Sequence, residues 1–487
     1  MTAMPAHPAA TASEAPIDPA DLSDLADLTD LADRLRAQVG EDAVVTDPAP
    51  AYAGDRAVTA PPGTDYLLVL PRDVDGVQSV LRLAHETGTP VVPRGAGSGL
   101  SGGAAPSAGA IVLGLERLTR IREIDPLDEV AVVEAGVITA ELSDALAPHG
   151  FFYAPDPASA RRSSIGGNIT TNAGGLHCAK YGVTRESVLG LEVVLADGTL
   201  VRTGHRSIKG VTGLDLTQLL IGSEGTLAVV VAATVRIRPL PVARRTVLAR
   251  FPTVAQATGG VNAISLSPVR PAACELLDAG SLEDIDESTG AGVAEDESAV
   301  LLVELDGYGI EEQTHDLTAA LVEAGARVRI LGDGAEAEHW WELRRSGRGS
   351  GIGHFRLGED VAVPKSRLGD AYAAIERIGT AHSIRTSAVA HAGDGNLHPS
   401  LSLPRPEDAQ AGPDGSPAPI PRIIHEAADA LVHEALALGG TISGEHGIGT
   451  SKRDWLDLEL SPASRGLQRR LKDAFDPQHL LNPGKAL

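Results

Sequence analysis

A glycine run set directly behind a short apolar strand constrains this chain more than any other feature. Pro90-Val91-Val92-Pro93 reads as the strand. Arg94-Gly95-Ala96-Gly97-Ser98-Gly99-Leu100-Ser101-Gly102-Gly103 follows it without a break. Successive bare N–H groups in such a loop can wrap a pyrophosphate. Gly97, Gly99 and Gly102 satisfy G-x-G-x-x-G. That fingerprint must open a helix to mean a dinucleotide fold. The next residues, Ala104-Ala105-Pro106-Ser107-Ala108-Gly109, cannot form a good one. Phosphate binding therefore fits the loop and a Rossmann fold does not. A purely structural loop is an equal alternative on this segment alone.

Two further small-residue segments lie downstream. Ser164-Ile165-Gly166-Gly167-Asn168-Ile169-Thr170-Thr171-Asn172-Ala173-Gly174-Gly175 reads as a second loop, rich in N–H donors and open to a large planar ligand. Gly222-Ser223-Glu224-Gly225-Thr226 is a third. Strand patterns surround them at Tyr66 to Pro71, Val130 to Glu134, Leu191 to Leu195 and Leu227 to Ile237. Helical spacing runs from Asp21 to Val39, from Asp73 to Thr87 and from Thr139 to His149. Past Arg238-Pro239-Leu240-Pro241 the texture changes. Strands at Val300 to Leu305 and Val328 to Leu331 alternate with helices, which predicts an α+β second domain. Residues 1–20 read as disordered and Ala409 to Pro421 as an exposed loop.

Composition excludes several classes. At 487 residues the chain has room for two or three domains. Its 41 Lys and Arg against 65 Asp and Glu give a net charge of −24, a poor match to nucleic acid or an anionic membrane. Cys178 and Cys274 stand far apart, so neither a disulfide framework nor a cysteine-held cluster is expected. No apolar run is long enough to span a membrane, and the N-terminal stretch has no signal-peptide pattern. A reduced, cytoplasmic setting is the expectation.

The chemistry-bearing stretch is His391-Ala392-Gly393-Asp394-Gly395-Asn396-Leu397-His398. Short strands flank a run of turn formers. With residues 393–396 as the hairpin loop, His391 faces His398, and two imidazoles so placed can share one metal ion. Two packed histidines are the commoner outcome for such a spacing. Gly444-Glu445-His446-Gly447 changes that weighing. In an extended segment Glu445 and His446 point to opposite sides. Glu445 can join the histidines as a third ligand and His446 can face a substrate. Two histidines and one carboxylate leave coordination positions open, which suits zinc, with iron(II) or manganese also compatible. Arg344 and Arg348, four apart on a helix, could grip a carboxylate or form a solvated basic face.

Taken together, these segments resemble the flavoenzymes of the vanillyl-alcohol-oxidase/PCMH superfamily. They are most similar to its branch of D-lactate dehydrogenases, glycolate oxidase catalytic subunits and D-2-hydroxyglutarate dehydrogenases. The matching segments are 93–103, Pro155-Asp156-Pro157-Ala158-Ser159, 165–175, 181–184, 209–216, 221–227, 391–398, 443–449 and 481–485. The resemblance implies an α+β chain with a two-part FAD domain over 21–239, a cap with an antiparallel sheet over 240–450, and a tail, 451–487, returning to the FAD domain. It implies FAD contacts from Pro93, Arg94, Gly95, Ala96, Gly97, Ser98, Gly99 and Leu100 in the first loop. Further contacts come from Pro155, Asp156, Ser159, Ile165, Gly166, Gly167, Asn168, Thr171, Asn172, Gly174, Gly175, Glu224, Gly225 and Asn482. Members with covalent flavin often carry a histidine in the first loop. Residues 94–99 have none, so dissociable FAD is expected. His177 is read as structural or solvent-exposed.

The resemblance also implies the reaction. A (D)-2-hydroxy acid would bind with its carboxylate on Arg344 and its hydroxyl on a metal held by His391, His398 and Glu445. His446 would take the hydroxyl proton, and the α-hydrogen would pass as hydride to flavin N5. Asn396 would contact the metal or substrate, or serve the turn. Arg348 stands where the family often has a small hydroxyl residue, so a dicarboxylate or a short acid would suit. The acid itself stays open among lactate, glycolate and 2-hydroxyglutarate. The electron acceptor stays open among a quinone, a cytochrome, an electron-transfer flavoprotein, an iron–sulfur subunit and O2 itself. Peripheral attachment to a membrane through that acceptor, and a homodimer, are compatible. The rivals are a non-catalytic FAD-binding or electron-transfer subunit, an alkyl-dihydroxyacetone-phosphate-synthase-like transferase and a flavin-free metal hydrolase.

Overall fold

The structure is a computed structural model describing residues 28–61, 63–294, 299–346, 353–406, 409 and 418–487. Arg348, residues 1–27 and most of the expected loop at 409–421 lie outside the described residues.

Three sheets organise the chain. The first has the order Val44–Val45, Tyr66–Val69, Ala110–Gly114, Val91–Arg94, and its last three strands are parallel. Parallel neighbours need a crossover. The helix Val74–Thr87 provides it, capped by the Asp73 carboxylate on Gly76 N at 2.9 Å and stopped by Gly88 at φ 69°. Its buried face is Val77, Val80, Leu81, Leu83 and Ala84. The strand Val91–Arg94 ends where the first glycine loop begins.

The second sheet is antiparallel, in the order Ile121–Asp125, Val130–Glu134, Val229–Arg236, Val188–Val194, Leu200–Gly204. The segment 164–175 was expected to be a loop throughout. Residues Ile165–Thr171 instead form a short helix, because Ser164 caps Gly167 N at 3.3 Å and Gly166 packs on Ala135. A Cβ at Gly166 would lie 2.7 Å from that of Ala135, so the approach needs glycine.

The third sheet is larger and wholly antiparallel. Its order is Arg327–Gly332, Arg244–Phe251, Ala299–Asp306, Ala273–Asp278, Arg385–His391, Asn396–Pro404, His354–Gly358. One face carries Val247, Ala249, Phe251, Leu276, Leu301 and Ala390 against the helices Val254–Leu266, Ile310–Glu323, Leu368–His382 and Arg422–Ala437. Side chains alternate along a strand. The other face therefore carries Leu248, Leu277, Leu302 and Val389, packed with Trp340, Trp341 and Leu343 of the helix Ala335–Ser346. Glu275 and His391 share that second face by parity.

The chain end returns to the first sheet. Leu481 is fully buried in that core, Val91 N donates to Leu480 O at 2.8 Å, and Asn482 N donates to Val91 O at 2.7 Å. Among the described residues no helix is long and apolar enough to cross a membrane.

Candidate functional site

The histidine hairpin pairs one step differently from expectation. The register is Val389 with His398, Ala390 with Leu397 and His391 with Asn396, so the loop is 392–395. The turn closes because Asp394 N and Gly395 N both donate to His391 O, at 3.1 and 3.0 Å. Gly395 has φ 94°, and a Cβ there would lie 2.1 Å from Val363 O. His391 and His398 are therefore diagonal rather than directly opposed. An even displacement keeps both on one face. Their ring centroids stand 5.2 Å apart, with planes at 89°.

Glu445 completes the set. Its Oε1 lies 3.1 Å from His398 Nε2 and 3.5 Å from His391 Nε2, and the three ligand atoms lie within 4.8 Å of one another. His446 stacks on His398 with centroids 5.0 Å apart and planes at 14°. Glu445 thus meets the edge of His398 and His446 covers its face. Asp360, His398 and His446 also come within ligand distance. The Asp360 oxygens, however, are taken by Asn396 Nδ2 at 2.7 Å, Ser443 Oγ at 2.8 Å, Glu445 N at 3.0 Å and His446 N at 2.9 Å. Asp360 is the organiser of the 443–446 turn. Burial would raise its carboxyl, but His446, Lys452 and His398 hold it far below the usual range.

The first set mixes charges: burial opposes the charge on His391, yet Glu275 and Glu445 raise it well above its ordinary value. Burial pushes His398 down to about 4, which leaves a neutral imidazole. Its two nitrogens have no aligned hydrogen bond among the described residues, although the ring is buried. Orphaned buried nitrogens are costly unless a ligand takes them. Burial opposes the charge on Glu445, yet His391 and His398 draw its carboxyl well below the ordinary value. The residues fit a divalent metal.

Neither Asp360 nor Glu275 was foreseen from the sequence. Glu275 is fully buried; its Oε1 is 2.9 Å from His391 Nδ1 and its Oε2 is 2.5 Å from Arg344 Nη2. A lone charge inside the apolar strand Ala273–Asp278 was the available signal. Arg344 is itself buried, with Nε unpartnered among the described residues. It is a buried ion-pair partner and not a solvated face. Asn396 places its amide nitrogen on Asp360 and on Val361 O at 3.0 Å, so that nitrogen serves the turn.

The first loop presents an empty row of donors. The N–H groups of Gly95, Ala96, Gly97, Ser98, Gly99 and Leu100 find no acceptor among the described residues. Arg94 lies beneath, buried, donating to Ala51 O at 2.7 Å and stacked on Tyr52. Gly97 has φ 65° and a Cβ there would strike Arg94 Nη2 at 2.1 Å. Unpaired N–H groups over a buried cation suit a pyrophosphate. The residues fit FAD.

Other expected cofactor contacts turn inward. Ile165 is fully buried in the core, and Asn168 donates to Thr139 Oγ1 at 2.6 Å. Asn172 accepts from Arg185 N at 3.0 Å, and Thr171 Oγ1 donates to Gly167 O at 3.1 Å within its helix. The Glu224 carboxylate accepts from Ile448 N and Gly449 N at 2.7 and 2.8 Å. Asn482 Nδ2 donates to Gly103 O and Glu224 O at 3.1 and 2.8 Å. Glu224 and Asn482 therefore tie the first loop, the third turn, the 443–449 segment and the tail together. Asp156 binds His177, which also meets Glu304, at 2.8 and 3.1 Å. His177 is thus neither solvent-exposed nor idle; it joins the second loop to the third sheet. Gly174 closes the site: a Cβ there would lie 2.4 Å from Glu445 Oε2. The second loop and the candidate metal set touch at that point.

A two-part architecture with an unpaired phosphate-type loop and a polar cap centre defines a class, and comparison agrees. Residues 66–204 match an FAD binding domain, and residues 240–486 match the C-terminal domain of FAD linked oxidases. The chain belongs to the FAD-linked oxidase family and is an oxidoreductase. Among curated relatives, glycolate oxidase subunit GlcD of Bacillus subtilis is 38% identical over 425 residues, covering 86% of this chain and 88% of that protein. The D-lactate dehydrogenase of Archaeoglobus fulgidus is 34% identical over 454 residues, covering 91% and 97%. The crystal structure of p-cresol methylhydroxylase with substrate bound superposes with TM-score 0.75 at 19% identity, covering 94% of this chain and 96% of that one, which shows the fold alone.

Proposed function

We propose that this chain oxidises a (D)-2-hydroxy acid of the lactate, glycolate or 2-hydroxyglutarate type to the 2-oxo acid, using dissociable FAD and a divalent metal. The contact between Gly174 and Glu445 carries the reading, because it sets the flavin segment beside the metal set. The printed names of the glycolate oxidase and D-lactate dehydrogenase relatives support the substrate class.

When bound, FAD supplies the acceptor for the α-hydrogen and its electron pair, and a divalent ion supplies a Lewis acid for the hydroxyl oxygen. His391, His398 and Glu445 hold the ion, with zinc favoured by the ligand set. The N–H row of 95–100 and the segment 174–175 hold the cofactor. Arg344 offers its unpartnered Nε to the substrate carboxylate. His446, fixed by its stack on His398 and by Asp360, takes the hydroxyl proton. Asp360 and Asn396 hold the turn that presents it. The expected domains remain FAD binding over 21–239, substrate cap over 240–450 and returning tail over 451–487. The electron acceptor is a quinone, a partner protein or O2; the sequence has no cysteine cluster, so an iron–sulfur cluster would lie in another chain.

Anaerobic mixing of the purified protein with a panel of 2-hydroxy acids tests this. Stoichiometric bleaching of the flavin by achiral glycolate or by D- but not L-acids, lost on chelation, is expected. A flavin unmoved by every acid rejects the proposal.

A further inference from the structure

Glu275 sits between the two halves of the candidate site. Its strand pairs with the histidine strand so that Glu275 directly opposes His391. A directly opposed pair has its Cβ atoms roughly 5 Å apart on one face. One carboxylate oxygen reaches His391 Nδ1 at 2.9 Å and the other reaches Arg344 Nη2 at 2.5 Å. Glu275 has no exposed surface, and Arg344 and His391 have side-chain exposures of 8% each. The neighbours that face Glu275 are thus one group aimed at the metal and one aimed at the substrate carboxylate.

We propose that Glu275 is the positioning residue that couples metal retention to substrate-carboxylate recognition, by orienting His391 and Arg344 at once. The inference rests on the metal and Arg344 roles proposed above. An Nδ1–H donated to Glu275 leaves the Nε2 lone pair of His391 directed toward Glu445, the side on which the ligand set lies. The same carboxylate pairs with the guanidinium at Nη2, 2.5 Å away, and the buried Nε has no hydrogen-bond partner among the described residues. A planar guanidinium held at one edge can present another edge without losing its orientation. Glu275 touches neither substrate nor metal, so its effect travels through the two side chains it fixes.

The test uses the flavin-loaded protein. Bound divalent metal is measured by elemental analysis and by its rate of loss to a chelator in the absence of substrate, together with KM and kcat for the acid found active. Glu275→Gln keeps the size of the side chain and removes the charge. It is expected to retain FAD at wild-type stoichiometry, to hold the metal roughly 10–100-fold more weakly, and to raise KM more than it lowers kcat. Glu275→Asp guards against a failure to fold. It keeps the buried charge but withdraws the carboxylate by one methylene, and the same two losses are expected. A purely structural role would lower thermal stability while leaving metal retention and KM unchanged. Wild-type metal retention and KM in whichever variant folds overturn the proposal. The underlying reading fails differently: a wild-type protein with no bound metal and chelator-indifferent flavin bleaching removes the metal site itself, and this inference with it.

Discussion

At the scale of single residues, the site depends on buried charges that neutralise one another. With Arg344 in its proposed role, Arg344→Ala would remove a charge-assisted contact to the acid, worth about 1.5–3 kcal/mol, so kcat/KM is expected to fall roughly 10–150-fold. It also strands Glu275, fully buried, without its cation. Breaking a buried pair costs about 3–5 kcal/mol, so a lowered melting temperature should accompany the kinetic loss. Steady-state kinetics and thermal unfolding of one preparation check both. Gly174→Ala probes space alone, since Gly174 is not in the left-handed region. Its Cβ would stand 2.4 Å from Glu445 Oε2 and displace the carboxylate. Metal content should drop by at least tenfold in competition with a chelator while the fold persists, as elemental analysis and circular dichroism would record. The gathering of His391, His398, Glu445 and His446 was legible in the sequence because the two histidines flank a short glycine-rich turn and Glu445 and His446 lie within another. Glu275 and Asp360 were not, because a partner that acts through tertiary contact leaves no local spacing to read.

At the scale of elements, hydrophobic pattern picked out the cap-sheet strands at Val300 to Leu305, at Val328 to Leu331 and on both sides of the histidine turn, while Arg244–Phe251, Ala273–Asp278 and His354–Gly358 were not read as strands. Period-two alternation specifies which face a residue takes, so His391 and His398 share a face even though the hairpin closes one step from the expected place. The helix Ile165–Thr171 hid behind glycines and β-branched residues whose propensity argues against it; its cap and the close packing of Gly166 override that. The following segment makes the strongest contact between the second loop and the cap. His177 lies between Asp156 and Glu304, with Lys180 and Tyr181 both on Asp306. Burial alone would lower the His177 pKa, but the two carboxylates win and raise it from 6.5 to about 10. A raised folded-state value means that the stabilisation is fully present below the unfolded pKa. It is then lost as pH climbs from about 6.5 through about 10. Wild-type protein should therefore lose about 1.5–3 kcal/mol more than His177→Asn between pH 7 and pH 10.5. Denaturant melts at the two pH values would show it; parallel losses in the two proteins would reject the clamp.

At the scale of the whole molecule, the chain end packs against the foot of the first glycine loop. The order of sheets and the break near residue 240 follow from hydrophobic pattern, but the return of the tail to the first sheet is a contact across nearly four hundred residues, which pattern alone cannot place. Asn482 Nδ2 donates to Gly103 O and Glu224 O. Lys485 is buried and its Nζ donates to Ala105 O at 2.5 Å and to Asn482 Oδ1 at 2.9 Å. Ala486 N donates to Gly449 O at 2.9 Å. Deleting residues 482–487 would leave the carbonyls at the foot of the first glycine loop without donors. Each buried acceptor so abandoned costs about 1–3 kcal/mol. The unpaired N–H row of residues 95–100 binds an anion only if the loop keeps its shape, so much of that cost should fall on cofactor affinity. The truncated protein is expected to bind FAD at least tenfold more weakly and to emerge colourless from gel filtration, with the cap sheet still folded by circular dichroism. A yellow truncated protein with wild-type flavin affinity would mean that the first loop is shaped by its own turns and by Glu224, and that the tail only covers it.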